Sequence, residues 1–396
     1  MIFGGKSIHE LEEADILALR EKEIGESRVL DYKREMYTSG DADKRDLACD
    51  ISAFANSSGG FLIVGVECDE EANKPTEITG IDKSNAESRI ESVCLDRIDE
   101  PLSHGRDYRL QPVSLSSSDR VVLVIQVFES LRAPHMVSFQ KQRYFYIRHG
   151  RQSRPADIND LRAIFEKVEG YMNKAEAFIN ERKAHQNNPN GDGLGWITFS
   201  VVPLAMRKTL VRVGGDTLSW FRRTNLHQRA RHGGCPVAGN LRPSKNGFSY
   251  IEKAALGKVK TRVDVFRNGT VELAFEVSPN SRGDRVVPTL WLAWTLLDAI
   301  YFAGQLYQFS QYYGDVRILF NFADPQGYML TRKHTWQEYS EPFEENNLEA
   351  GGDFTSSQLL EQPEERVLKD IMDQLSNAFR YLDSDCFDEQ GHVLQR

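Results

Sequence analysis

The sequence predicts an α+β fold in two domains, and three observations support this. A strand, a helix and a second strand follow one another between residues 26 and 69, strand-like stretches recur along the rest of the chain, and a run rich in asparagine and glycine interrupts it near residue 190. At 396 residues the chain is long enough for two cores. We therefore expect a first domain over residues 1–186, a linker over 187–195 and a second α+β domain over 196–396.

The first domain is predicted to begin with a helix over residues 7–22, followed by a strand from Val29 to Lys33. Side chains two apart in a strand lie on one face, so Asp31 and Lys33 should point the same way. Asp41 is a suitable N-cap for the next helix. A carboxylate and an amine are thus expected side by side, just before that helix.

A glycine-rich run ends this second helix and leads into another strand. Apolar residues recur at helical spacing from Leu47 to Phe54 and predict a buried helix face. The run from Asn56 to Gly60 tolerates left-handed backbone and should stop the helix. Phe61 to Val66 is apolar, which is typical of a buried strand, and Asp69 follows its end.

Later segments of the first domain also show clear patterns. A helix is predicted near residues 85–96, and two strands over residues 107–115 and 121–128 flank a serine-rich turn. A further strand is predicted over residues 143–148, and a helix over residues 157–183.

Three acids lie on the strand-helix-strand unit, namely Glu26, Asp31 and Asp69. Carboxylates gathered together repel one another unless a cation lies between them. Mg²⁺ or Mn²⁺ prefers oxygen ligands and can activate a water for attack on a phosphodiester. Lys33 would then position that water or stabilise phosphate charge. Spacing alone favours the alternative, in which the three acids are ordinary solvated surface groups.

Five short motifs lie between residues 26 and 161. They are ESRVLDYK, ISAFANSSGGFLIVGVE, ITGID, RAPHM and RYFYIRHGRQSRPA. In content and order they resemble the AlbA_2 domain of the Schlafen family, also called divergent AAA_4. The resemblance implies the fold of that domain, in a chain similar to bacterial Schlafen-like proteins.

The resemblance also implies an activity. In Schlafen-type nucleases, two acids of the opening motif and one after the glycine-rich strand form a metal-dependent centre that cleaves RNA. Carried over, these are Glu26, Asp31 and Asp69, with Mn²⁺ or Mg²⁺ as cofactor and Lys33 assisting. Asp31 stands where the family favours glutamate, and Glu67 competes with Asp69 for the third position. The implied protein is an endoribonuclease acting on structured RNA such as tRNA, with a role such as defence against phage.

A run of cations without acids extends over residues 132–154, with aromatic residues at 144–146. Cations bind phosphates and aromatic rings stack on bases, so the run predicts a nucleic-acid-binding strip. Arg148 and Arg151 are the better candidates for phosphate contacts. A solvated sheet edge is the alternative. The cations of the strip are Arg132, Lys141, Arg143, Arg148, Arg151 and Arg154.

Two histidines accompany this strip, His135 and His149. Either is a candidate for a general acid or a phosphate contact. A lone histidine in such a loop is more often a surface or hydrogen-bonding residue.

The second domain is predicted from short strands and one long apolar helix. Asn268-Gly269 between two strand-like runs is a strong hairpin signal. The helix over residues 288–312 has too short an apolar stretch to cross a bilayer, and Asp298 should lie on its polar side. The other predicted strands are 196–204, 210–213, 247–250, 262–266, 271–277 and 316–322, and a last helix covers 364–382.

The net charge of −9 is unevenly distributed. Residues 207–267 are rich in lysine and arginine and contain only Asp216, Glu252 and Asp264 as acids. Residues 338–389 carry fifteen acids against three cations. The sequence therefore predicts an acidic tail, which can be inert, fold onto its own basic surface or recruit a basic protein partner.

Cellular context and partners follow from weaker signals. Five cysteines occur without a C-x-x-C pair and the N terminus lacks a signal sequence, so a reducing cytoplasm is expected and no membrane association. Family members often pair two copies of the domain, whereas this chain shows one copy, so a homodimer is expected. The second domain is the candidate site for a protein partner.

Three functions remain open on sequence grounds. The first is a metal-dependent endonuclease. The second is a non-catalytic nucleic-acid or nucleotide-binding protein, such as a regulator or a defence-complex subunit. The third is an interaction scaffold whose acidic tail covers its basic surface. Convergence of the Glu26, Asp31 and Asp69 carboxyl groups around one ion would separate the first two.

Overall fold

A computed structural model describes residues 2–3, 6, 8–69, 71–206, 209–223, 241–332, 338–359 and 364–394. The chain divides into two compact units, Met1–Gly170 and Tyr171–Arg396. Each contains helices and sheets, so the predicted α+β class is confirmed. The division between the units precedes the predicted linker at 187–195.

The first unit begins with a 3₁₀ turn, Ile8–Glu10, in place of the first part of the predicted opening helix. Its helices are α1 Glu13–Glu21, α2 Asp41–Ala55 and α3 Ala86–Asp96, and α4 Ile158–Lys183 begins in it. Its strands are β1 Leu30–Lys33, β2 Gly60–Val64, β3 Val66–Asp69, β4 Lys74–Ile78, β5 Ile98–Asp99, β6 Tyr108–Ser114, β7 Val121–Val127, β8 Met136–Phe139, β9 Gln142–His149 and β10 Gln152–Pro155.

Two four-stranded sheets and one hairpin make up the sheet structure of this unit. The first sheet has the order β1-β2-β7-β6, with β1 and β2 parallel and the other pairs antiparallel. The second has the order β10-β9-β8-β5 and is antiparallel. Helix α2 packs against strands of both sheets. Leu47, Ile51 and Phe54 are therefore fully buried, as the helical periodicity predicted.

The segment after α2 ends the helix at Ala55, as its sequence predicted, and has a second role as well. Gly59 adopts a left-handed backbone with φ of 67°, but Asn56 keeps a right-handed helical backbone. The buried Asn56 side chain donates to the carbonyl oxygens of His135 and Tyr146, both at 2.9 Å, and accepts from the His135 N–H at 2.6 Å. Asn56 thus joins the end of α2 to the second sheet.

Gly65 divides the apolar run that the sequence predicted as one strand. It has φ of 100°, and a Cβ atom there would lie 2.9 Å from the Cα of Gly80. Only glycine fits such a position without strain. The chain consequently leaves the first sheet and forms the β3–β4 hairpin, which carries Glu67 and Asp69. The sequence had predicted only a polar turn over residues 70–75.

The second unit is built on a seven-stranded antiparallel sheet of order β12-β13-β14-β15-β11-β17-β20. A smaller sheet has the order β16-β18-β19. The elements are β11 Gly195–Pro203, α5 Gly215–Arg223, β12 Arg242–Ser244, β13 Gly247–Lys253, β14 Val259–Phe266, β15 Val271–Val277, β16 Val286–Val287, α6 Thr289–Phe309, β17 Asp315–Ala323, β18 Met329–Arg332, β19 Glu338–Tyr339, β20 Asn347–Thr355 and α7 Glu364–Ala378.

Several predictions for this unit need correction. Residues 210–213 form no strand, and Asp298 of α6 is buried, because that helix is covered nearly all round. The acidic stretch is not a free tail. It contains β20, which pairs with β17, and α7, which packs on β20 and α6. Part of the basic stretch, residues 207–208 and 224–240, lies outside the described residues.

None of the described helices combines the length and the apolar character that crossing a membrane requires.

Candidate functional site

A polar cavity of ≈ 700 Å³ lies in the first unit, lined by residues of β1, α2, β3 and the β9–β10 turn. Charged side chains of both signs dominate its wall. The acids are Glu26, Asp31, Asp50 and Glu67, and the cations are Lys33, Arg34, Arg148 and Arg151.

Asp31 lies at the buried side of this cavity, with 5 % of its surface exposed. Its carboxyl group shares a hydrogen bond with that of Glu26, which also accepts the Tyr32 N–H at 3.1 Å. Burial raises the pKa of Asp31 to about 6, the hydrogen bond with Glu26 adds to the shift, and the charges of Lys33 and Arg148 oppose it. Two of the predicted acids are therefore brought together.

Five side chains, Asp31 among them, form a closed ring of polar contacts. Lys33 Nζ lies 3.4 Å from Asp31 Oδ2 and 3.3 Å from Asp50 Oδ2. Ser153 Oγ donates to Asp50 Oδ1 at 3.0 Å. Arg148 Nη1 closes the ring, because it donates to Ser153 Oγ and to Asp31 Oδ2, both at 3.3 Å. Each member is held by two others, so the wall of the cavity is organised in advance of any ligand.

Lys33 carries a positive charge in this ring. Burial alone would lower the pKa of Lys33, but the nearby charges of Asp50 and Asp31 outweigh burial and raise it above its ordinary value. The side chain is therefore an ammonium group at neutral pH. It is suited to contacting an anion and unsuited to acting as a general base.

Arg148 is a buried member of the ring, with 1 % of its side chain exposed. Its Nη2 donates to the Ser27 carbonyl oxygen at 3.1 Å, and its guanidinium lies 4.6 Å from the centre of the Phe54 ring. Its backbone N–H donates to Ser57 Oγ at 2.9 Å. These contacts fix the guanidinium beside Asp31.

Asp50 belongs to the ring but was not among the residues that the sequence indicated. It also accepts a hydrogen bond from the Tyr37 hydroxyl at 2.6 Å. One signal was available, since Asp50 is an acid inside the otherwise buried segment of α2 between Leu47 and Phe54. A carboxylate in such a position requires partners, and these lie far away in sequence.

Asp69, the third predicted acid, does not line the cavity. It is exposed, and its Oδ1 accepts the N–H groups of Glu71 at 2.8 Å and Ala72 at 2.7 Å, which stabilises the turn after β3. Glu67 does line the cavity and pairs with Arg34 at 2.9 Å. Within the described ranges, no group of three histidine, cysteine, aspartate or glutamate residues is arranged to hold a metal ion.

The predicted basic strip is spread over different environments. Arg148 and Arg151 line the cavity, and Arg151 also donates to Asn73 Oδ1 at 3.2 Å. Lys141 and Arg143 are exposed at the turn and the first residues of β9. The six cations therefore do not share one setting.

The remaining two cations of the strip are held in ion pairs. Arg132 pairs with the buried Asp107 at 2.7 Å. Arg154 binds Asp160 through two bonds, at 2.7 and 3.1 Å. Their charges are compensated within the unit.

The two histidines lie outside the cavity wall. His135 is fully buried and its Nδ1 lies 2.7 Å from the Glu100 carbonyl oxygen. Burial lowers the pKa of His135, so it is neutral and structural. His149 is exposed at the end of β9.

The fold and this cavity define an α+β domain with a paired-carboxylate site. Residues 26–157 match the family model described as Schlafen, AlbA_2, so the first unit carries a Schlafen AlbA_2 domain, as the motifs predicted. The match suggests a role related to nucleic acids. No curated protein matches the chain.

Proposed function

We propose that the first unit is a Schlafen-like, metal-dependent endoribonuclease that cleaves structured RNA such as tRNA. The observation that carries this proposal is that Glu26, Asp31 and Lys33 line one polar cavity of ≈ 700 Å³, where Lys33 Nζ lies 3.4 Å from Asp31 Oδ2. Metal-dependent phosphodiester cleavage uses acids that hold a cation and positive groups that receive developing phosphate charge. Both occur on this wall.

The donor set fits one divalent cation. Mg²⁺ commonly takes one or two protein carboxylates, and waters and substrate phosphates complete its shell. Neighbouring oxygen ligands on such an ion are about 3 Å apart, which is also a hydrogen-bonding distance. Glu26 and Asp31 are thus the residues that would hold Mn²⁺ or Mg²⁺, with Glu67 on the same wall. When bound, the ion would supply an activated water and neutralise phosphate charge.

The cations of the cavity have separate roles in this proposal. Lys33 is an ammonium held between two carboxylates, and its remaining N–H groups contact a phosphate oxygen. Arg151 also lines the cavity, and a guanidinium can bind phosphate with two parallel hydrogen bonds. Arg148 is buried and acts on Asp31, so it is a positioning residue.

A second cavity of ≈ 580 Å³ supports a polynucleotide substrate. It shares Lys33, Asp50 and Ser153 with the first cavity, and Tyr146 and Met36 line its wall. A phosphate at Lys33 therefore has room beside it for a neighbouring nucleotide. The tyrosine ring is a suitable surface for base stacking.

Cleavage of tRNA with added Mn²⁺ tests the proposal. Glu26→Gln and Asp31→Asn should each lower the rate by about a hundredfold or more, the usual cost of removing a group that stabilises a charged transition state. Asp69→Asn is the matched control and should cleave at close to the wild-type rate. Wild-type rates in both cavity variants would refute the proposed centre.

The second candidate is a non-catalytic nucleic-acid or nucleotide binder. It is favoured by the ring itself, because Lys33 and Arg148 already compensate the charge of Asp31, and by the position of Asp69 away from the cavity. Such a protein would bind RNA in EDTA and retain binding in Asp31→Asn, with affinity falling steeply as salt rises. Absence of any cleavage in the same samples would support it over the nuclease.

A further inference from the structure

The hairpin of β13 and β14 extends beyond its neighbours in the second unit. Strand β12 pairs with β13 only as far as Arg242 opposite Ser249, and β15 pairs with β14 only as far as Phe275 opposite Thr261. Residues 250–260, here named the basic ribbon, therefore have no flanking strand within the described part of the chain.

Leu256 at the tip of the basic ribbon is 100 % exposed, and its φ is 63°. A left-handed backbone is unfavourable for a leucine, and glycine or asparagine occupies such positions at lower cost. Full exposure means that no packing within the unit offsets this strain. A strained, exposed apolar residue at a loop tip is a reason to look for a contact with another molecule.

Four cations lie on or beside the ribbon. Arg242, Lys245, Lys253 and Lys260 are exposed, and none forms an ion pair with a described residue. Lys253 lies two residues after Ile251 on β13 and so shares its face, whereas the register shifts beside Lys260, which has no partner on β13. Arg242, opposite Ser249, shares that face. Glu252 follows Ile251 directly and points to the other face.

The ribbon is also held in place, by the segment that the sequence predicted as a linker. The Asn190 side chain donates to the Val259 carbonyl oxygen at 2.8 Å and accepts the Val259 N–H at 2.9 Å. Asp192 pairs with Lys258 at 2.8 Å. Arg262 is neutralised by Asp264 and Glu272. Among the described residues, Lys258 beside the tip and Arg262 farther from it are thus compensated, whereas Arg242, Lys245, Lys253 and Lys260 form no ion pair.

We propose that the basic ribbon binds the phosphate backbone of a nucleic acid. A row of open cations along two strands matches a row of phosphates, and an exposed apolar tip can contact a base. An anionic membrane would require a larger apolar surface than Leu256 and the 48 % exposed Ile251 supply. This surface belongs to the second unit and is independent of the proposed cleavage.

The test uses the full chain in EDTA, so that cleavage does not interfere. Fluorescence anisotropy with labelled single-stranded RNA, duplex RNA and duplex DNA, over a series of NaCl concentrations, gives affinity and its salt dependence. In Lys253→Glu/Lys260→Glu, the slope of log association constant against log salt should become less negative by about 0.7–0.9 per lost cation. The affinity should be about tenfold lower. Arg366→Glu, a single charge reversal at an exposed position of α7, should bind like wild type.

A second variant separates binding from folding. Leu256→Gly relieves the backbone strain, so its melting temperature should equal or exceed that of wild type while binding weakens. The proposal is overturned if the double variant keeps wild-type affinity and slope. Vesicles containing phosphatidylserine serve as a further probe. The proposal is also overturned if the double variant loses binding to these vesicles but keeps its binding to all three nucleic acids. Asp31→Asn should leave ribbon binding intact, so the two proposals fail separately.

Discussion

Arg148 Nη1 and Asp31 Oδ2 lie 3.3 Å apart, although 117 residues separate them in the chain. The contact joins β9 of one sheet to β1 of the other, and both side chains are buried. A buried charge without its partner is costly, so this pair contributes to the stability of the first unit as well as to the cavity.

Arg148→Met should therefore destabilise the first unit by about 3 kcal/mol, the typical cost of removing one partner of a buried ion pair. Urea unfolding followed by far-UV circular dichroism measures the change in the free energy of unfolding. Arg151→Met, a change at the rim of the cavity, should cost less than about 1 kcal/mol. The double variant Asp31→Leu/Arg148→Met should recover part of the loss, since it leaves no lone charge. Equal losses in the single and double variants would contradict this account.

Asp50→Asn should slow the proposed cleavage about tenfold, less than Asp31→Asn, because Asp50 acts by holding Lys33. Kinetics that separate kcat from KM measure the effect, and a rise in KM is expected if Lys33 contacts substrate phosphate. Asp41→Asn on the same helix is the control, since the exposed Asp41 pairs with Arg97 and lines neither cavity. Indistinguishable rates in the two variants would remove Asp50 from the site.

The pKa of Asp31, raised to about 6 from an ordinary value of 3.8, predicts a pH dependence. The carboxylate form is needed to hold a cation, so cleavage should rise with pH and level off above about pH 6. For stability the sign is opposite. The folded unit binds this proton more tightly than the unfolded chain does. The contribution of Asp31 to the free energy of unfolding is therefore full below pH 3.8 and is lost as pH rises through 6. The apparent pKa read from the pH–rate profile belongs to the Glu26–Asp31 pair. A profile that is flat from pH 5 to 7 would argue against this assignment.

His135 should make the first unit less stable in mild acid. Its pKa is lowered by burial, so below the ordinary value of 6.5 the unfolded chain takes up a proton that the folded unit does not. Asp31 acts in the opposite direction over the same range, so thermal unfolding from pH 7 to pH 5 is measured in the Asp31→Asn background, where the decline should appear. His135→Asn keeps an N–H donor for the Glu100 carbonyl oxygen, removes the titration and should flatten the profile. An unchanged profile in the variant would assign the pH effect to another group.

The sequence by itself determined most of the local structure of the first unit. The stripe from Leu47 to Phe54 predicted α2, and the alternating and apolar runs predicted β6 and β7 within a residue or two. The motifs between residues 26 and 161 indicated the Schlafen AlbA_2 domain that the family match confirms. These signals lie in neighbouring residues, where periodicity and turn chemistry act directly.

Only the tertiary structure decided which side chains form the site. Glu26 and Asp31 are near in sequence and line one cavity, and the β3–β4 hairpin after Gly65 adds Glu67 to its wall but not Asp69. Asp50 and Arg148 enter from α2 and β9, and no local pattern connects them to β1. The physical reason is that a helix or strand is specified by contacts between near neighbours in the chain. A charged ring is specified by how separate elements pack, and by the need to give every buried charge a partner.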